Sequence, residues 1–131
     1  MEAPLMKLVV SLALALALLG ACGKDKKGAS SRDGVVAAWK KGGLEPSPLT
    51  TAQTDVGKDC ASGTVNKIDV LVCTFGSAKD AKDAEDKGLQ WVGDTTGASK
   101  AQGEMLIVVA DRRKADPSGR TINQLITLPA N

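Results

Sequence analysis

At 131 residues and 13.5 kDa the chain has room for one small domain, and its charges nearly cancel, with 17 Lys and Arg against 15 Asp and Glu. From residue 28 onward the count is 13 against 13, which leaves no electrostatic footprint for a phosphate backbone and argues against nucleic acid as a partner. The absence of His and Tyr, with one Phe and two Trp, removes imidazole acid–base chemistry, most zinc sites and any aromatic platform for stacking bases.

Residues 1–7 end in a positive charge, and an apolar run from Leu8 to Leu19 follows, broken only by Ser11. As a helix that run measures about 18 Å, short of a bilayer core of about 30 Å, so residues 1–21 read as a signal peptide rather than a membrane span. The run ends in Leu19-Gly20-Ala21-Cys22, which resembles the lipobox of bacterial lipoprotein precursors. The resemblance implies a diacylglyceryl group on the Cys22 thiol, cleavage just before it and acylation of the freed amine, a firm anchor of two or three chains. Gly23 stands where an Asp retains lipoproteins in the inner membrane of enteric bacteria. The resemblance therefore implies the outer membrane, facing the periplasm. Residues 22–31 are then the lipidated cysteine and a polar Gly/Ser/Lys tether, and residues 32–131 a single domain.

The domain opens with a helix capped by Ser30 or Ser31, with Asp33 in its first turn and Val35, Val36 and Trp39 on its apolar face. Gly42-Gly43 ends it, and Leu44 is placed to pack back on the last turn. Glu45-Pro46-Ser47-Pro48 forces extended chain. Thr50 to Lys58 has no period and reads as a loop, with room for a short helical turn.

Two β-prone runs flank Asn66-Lys67. A two-residue turn there, or a four-residue loop on the same centre, pairs Val65 with Ile68 and, counting outward, Cys60 with Cys73. Alternation makes the cysteines a non-hydrogen-bonded pair with Cα atoms about 4.5 Å apart, within disulfide range. Lipidation of Cys22 leaves these two as the even remainder of three cysteines. Ala61, Gly63, Val65, Ile68, Val70 and Val72 share one wholly apolar side, expected to be the core face. Leu71 lies on the other side with the cysteines, and there it reads as an exposed apolar hint of a docking surface.

Ser77-Ala78-Lys79-Asp80 reads as a capping box that opens a helix to about Val92. Its apolar face carries Ala78, Ala81, Ala84, Gly88, Leu89, Trp91 and Val92. Lys79, Asp80, Lys82, Asp83, Asp86 and Lys87 make a solvated face of i, i+4 ion pairs. Glu85 falls inside the apolar stripe, as a rim residue or as a buried carboxylate that needs a partner. Gly93 to Gly97 reads as a turn and Ala98 to Gly103 as a connection. Met105 to Ala110 is a continuous apolar run, a strand buried on both faces and the expected centre of the sheet. Asp116-Pro117 reads as the cap and first residue of a last helix bearing Ile122, Leu125 and Ile126.

The expected fold is a small two-layer α+β domain in the order α-β-β-α-β-α, a β-hairpin plus one central strand with helices packed on one face. Val108 to Asn123 resembles uncharacterised small bacterial lipoproteins, which brings no activity with it. No nucleophile is spaced with a base, so the domain reads as non-catalytic and without a cofactor. Its expected partners are the membrane, through the anchor, and another envelope protein. The alternative is an anionic or cell-wall ligand held by Arg112, Arg113 and Arg120, since the end of a strand beside a helix N-terminus gathers donors.

Overall fold

A computed structural model describes residues 28–131. The signal-peptide and lipobox readings, Cys22 included, lie outside the described residues. The chain folds as α1 (Arg32–Lys41), β1 (Thr50–Ala52), β2 (Asp59–Val65), β3 (Ile68–Thr74), α2 (Ala78–Asp83), α3 (Glu85–Val92), β4 (Thr96–Gln102), β5 (Met105–Asp111) and α4 (Arg120–Thr127). A 3-10 turn, Leu128–Ala130, follows α4. The strands form one sheet in the order β1-β2-β3-β5-β4 with every neighbour antiparallel, so the α+β class holds.

The hairpin takes the register that alternation predicts, from Val65 opposite Ile68 to Cys60 opposite Cys73. Asn66 and Lys67 both have positive φ, 50° and 71°, as a two-residue turn whose twist matches the strands requires. The Asn66 side chain also accepts the Glu45 N–H at 2.9 Å, which fixes the turn against the extended Pro segment. Ser31 caps α1 by accepting the Gly34 N–H, and Leu44 is buried with its N–H on the Trp39 carbonyl.

Two segments expected to be irregular are strands. Thr50–Ala52 lies along β2 as a short edge, and Thr96–Gln102 pairs with β5 along its whole length. With β4 outside it, β5 is an interior strand and β3 takes the middle position. All seven β5 residues are buried.

The one-face arrangement of helices is corrected. A strand with buried residues on both sides needs cover on both sides. On one face α1 and α4 bring Val35, Trp39, Ile122 and Leu125 onto Val65, Ile68, Val70, Val72, Met105, Ile107 and Val109. On the other, α2 and α3 pack on β4 and β5, and Ala84, Val92 and Val56 of the loop after β1 join Leu71, Cys73, Leu106, Val108 and Ala110 in a second apolar cluster. Leu71 is therefore fully buried rather than exposed. The expected single second helix is divided at Ala84, and Leu89, assigned to its buried stripe, is exposed. The last helix starts at Arg120, three residues later than an Asp116 cap with Pro117 as first helical residue implies. Asp116 still serves it, because its Oδ2 accepts the Ile122 N–H at 2.8 Å from a turn upstream. The Trp39 indole N–H donates to the Leu125 carbonyl at 2.9 Å and ties α1 to α4 within the core.

Candidate functional site

Of the residues singled out by sequence, Cys60 and Cys73 are joined as a disulfide between β2 and β3, with Cα atoms 4.0 Å apart. Both cysteines are buried in the second core, and the loop after β1 lies against Cys60, whose Sγ is 3.7 Å from Thr54 Oγ1 and 3.5 Å from the Gly57 carbonyl oxygen. Beside them opens a cleft of about 980 Å³, lined in part by Val56, Phe75, Asp55, Asp59, Asp80 and Lys87. At its edge Asp59 accepts the Thr74 hydroxyl and the Arg32 guanidinium, which clamps the start of α1 to the start of β2. The Thr74 hydrogen bond, and then Arg32, hold the Asp59 carboxyl below the usual carboxylate range.

Arg112 and Arg113 are brought together at the opposite end of the sheet, by Asp69. Arg112 Nε lies 3.1 Å from Asp69 Oδ2, its Nη2 donates to the Trp91 carbonyl at 2.8 Å, and its guanidinium sits 4.6 Å from the centroid of the Trp91 ring. Arg113 Nη1 is shared between Asp69 Oδ1 at 2.8 Å and the Lys67 carbonyl at 3.0 Å. These contacts join the hairpin turn, the end of α3 and the loop after β5. Arg120 is exposed in the first turn of α4, with its backbone N–H on Ser118 Oγ.

The guanidinium groups of Arg112 and Arg113, and backbone N–H groups around the start of α4, are already met by the chain's own carboxylates. Asp111 accepts the N–H groups of Ala115 and Asp116 at 2.8 and 2.9 Å, and Asp116 occupies the Ile122 N–H at the start of α4. Sequence reading found the arginines but missed Asp69 and Trp91. Asp69 lies more than forty residues away, and only the β3–β5 register, Asp69 opposite Ala110, brings it to them.

Glu85 is a rim residue with a specific partner. Its Oε2 accepts the Ala101 N–H at 2.8 Å and its Oε1 lies 3.2 Å from Lys82. The Ala101 hydrogen bond is the largest cause of a pKa held below the usual range, with Lys82 adding to it against partial desolvation. Among the described residues no group of three His, Cys, Asp or Glu side chains is placed to hold a metal ion, and no helix is long and apolar enough to cross a membrane. No protein family, curated protein or solved structure matches the chain.

Proposed function

We propose that the chain is a lipid-anchored protein of the bacterial envelope whose domain works through protein contacts rather than catalysis. The observation that carries the reading is the leader ending in Leu19-Gly20-Ala21-Cys22, an apolar run too short to span, two small residues and a cysteine. The Cys60–Cys73 disulfide supports it, since such bonds persist in oxidising compartments. Gly23 directs the anchor to the outer membrane, with the domain in the periplasm. An anionic ligand at Arg112 and Arg113 is the alternative, but it would have to displace Asp69 from both, which favours the contact module.

Expressed in a bacterium, the wild type should fractionate with membranes and carry acyl mass on Cys22. Cys22→Ser should accumulate as an unprocessed precursor or be released in soluble form. A wild-type protein with no acyl mass on Cys22 overturns the anchor.

A further inference from the structure

Gly28 joins the domain at one end of the sheet. Its neighbour Ala29 donates its N–H to the Pro129 carbonyl at 2.7 Å and packs against the first core. A Cβ at Gly28 would lie 2.4 Å from both Gln102 Nε2 and the Pro129 carbonyl oxygen, so the chain enters through a slot that a larger residue would not fit. Gln102 pairs with Met105, which lies opposite Thr74, so the entry point shares its end of the sheet with Asp59, Thr74 and the cleft beside the disulfide. The Asn66–Lys67 turn and the Arg112–Arg113 cluster close the opposite end, one strand length away, which for the seven residues of β5 is about 20 Å.

Five residues, Gly23 to Lys27, separate Gly28 from Cys22. Fully extended, a chain of that length carries Gly28 no farther than about 20 Å from the Cys22 backbone, and a Gly- and Lys-rich segment averages about 13 Å. With Cys22 lipidated, its backbone lies at the headgroups. Turning the domain over would then lift Gly28 by the whole length of the sheet and demand the full extension, whereas the upright domain demands none. Lys24, Lys26 and Lys27 fall within the same five residues, and each contributes about 1 kcal/mol toward an anionic surface, which favours a short span.

We propose that the Gln102 end of the domain faces the lipid surface, with Gly28 held within about 20 Å of the headgroups, and that the end carrying the Asn66–Lys67 turn and the Arg112–Arg113 cluster is presented away from the membrane. The orientation rests on the Cys22 anchor proposed above and gives it a direction. It places the cleft beside the disulfide on the membrane side, where a large protein partner has least room. Contacts with another envelope protein then fall to the hairpin-turn end and to the flanks of the domain.

The mature acylated chain tests this in vesicles of phosphatidylethanolamine and phosphatidylglycerol that carry a nitroxide quencher on their headgroups. With Cys22 lipidated and Cys60 joined to Cys73, a new cysteine is the single free thiol, so Glu104→Cys in the β4–β5 turn and Lys67→Cys in the hairpin turn each take one fluorophore. A separation of about 20 Å along the sheet should leave the label at residue 104 quenched about threefold or more strongly than the label at residue 67. Inserting about twenty Gly and Ser residues after Lys27 raises the average reach to about 28 Å and should bring the two labels close to equal. Equal quenching with the natural tether, or a ratio that the insertion leaves unchanged, overturns the orientation. Acyl mass on Cys22 and flotation with the vesicles are read on the same samples. Protein without the acyl group overturns the anchor and the orientation together, whereas acylated, floating protein with equal quenching overturns the orientation alone. Should either cysteine variant fold poorly, Ser30→Cys and Lys114→Cys give the same comparison, since both residues are exposed at the two ends.

Discussion

Asp69 pairs with both Arg112 and Arg113, and through them reaches the Trp91 ring and the Lys67 carbonyl. The arginine side chains are 38% and 53% exposed, so solvent screens each pair and neither alone exceeds about 1 kcal/mol. Together they fix three separate segments on one carboxylate that is itself only 21% exposed. Replacing Arg112 and Arg113 with Gln should therefore lower stability by about 1–2 kcal/mol, read as a lower urea midpoint. A ligand-binding role predicts the opposite pattern, an unchanged midpoint with loss of retention on isolated cell wall, and that pattern would sink the structural assignment. The arginines are legible in sequence as charge; their partner is not, because it depends on a strand register set by the rest of the sheet.

At the scale of elements, the hairpin is legible because its alternation and its cysteines demand one register, which a two-residue turn or a four-residue loop on the same centre both satisfy. The turn is also where the sequence fits its backbone least well. Lys67 sits at φ 71°, where a side chain costs about 1–2 kcal/mol that glycine avoids. Lys67→Gly gives the preferred Asn-Gly turn and keeps the carbonyl that Arg113 uses. After allowing for the extra freedom of glycine in the unfolded chain, it should raise stability by about 0.5–1 kcal/mol, visible as a higher melting temperature. A lower melting temperature would mean that the lysine side chain makes a contribution larger than the strain. By contrast β4, Thr-Gly-Ala-Ser-Lys-Ala-Gln, has almost no strand propensity of its own. It is a strand because β5 offers a complete ladder on one side and Glu85 meets one outward N–H on the other. The start of the last helix is not legible for a related reason, since Asp116 caps it across a turn rather than from the adjacent position.

For the whole molecule, the central fact is a sheet with a separate apolar core on each face. Sequence alternation showed the first core, where valine and isoleucine repeat along the hairpin. The second is harder to read because the hairpin gives it only Leu71 and two cysteines, the helical layer only Ala84 and Val92, and its remaining strand residues, Leu106, Val108 and Ala110, lie within an unbroken apolar run. The disulfide is therefore buried within a core rather than set on a polar face. That placement makes a prediction about its chemistry as well as its energy. Closing a loop across a sequence separation of 13 is worth about 3 kcal/mol by chain entropy, less whatever order the hairpin keeps when unfolded. Replacing both Cys60 and Cys73 with Ala should thus lower stability by about 2–3 kcal/mol, and non-reducing mass spectrometry of the wild type should return the linked peptide. Because both cysteines are buried in the second core, where the loop after β1 lies against Cys60, a reductant reaches the bond only after that cover opens. Reduction should be slow in buffer and accelerate steeply as denaturant approaches the unfolding midpoint. Rapid reduction of the folded protein, with no change in rate as denaturant is added, would show that the second core is not closed over the bond.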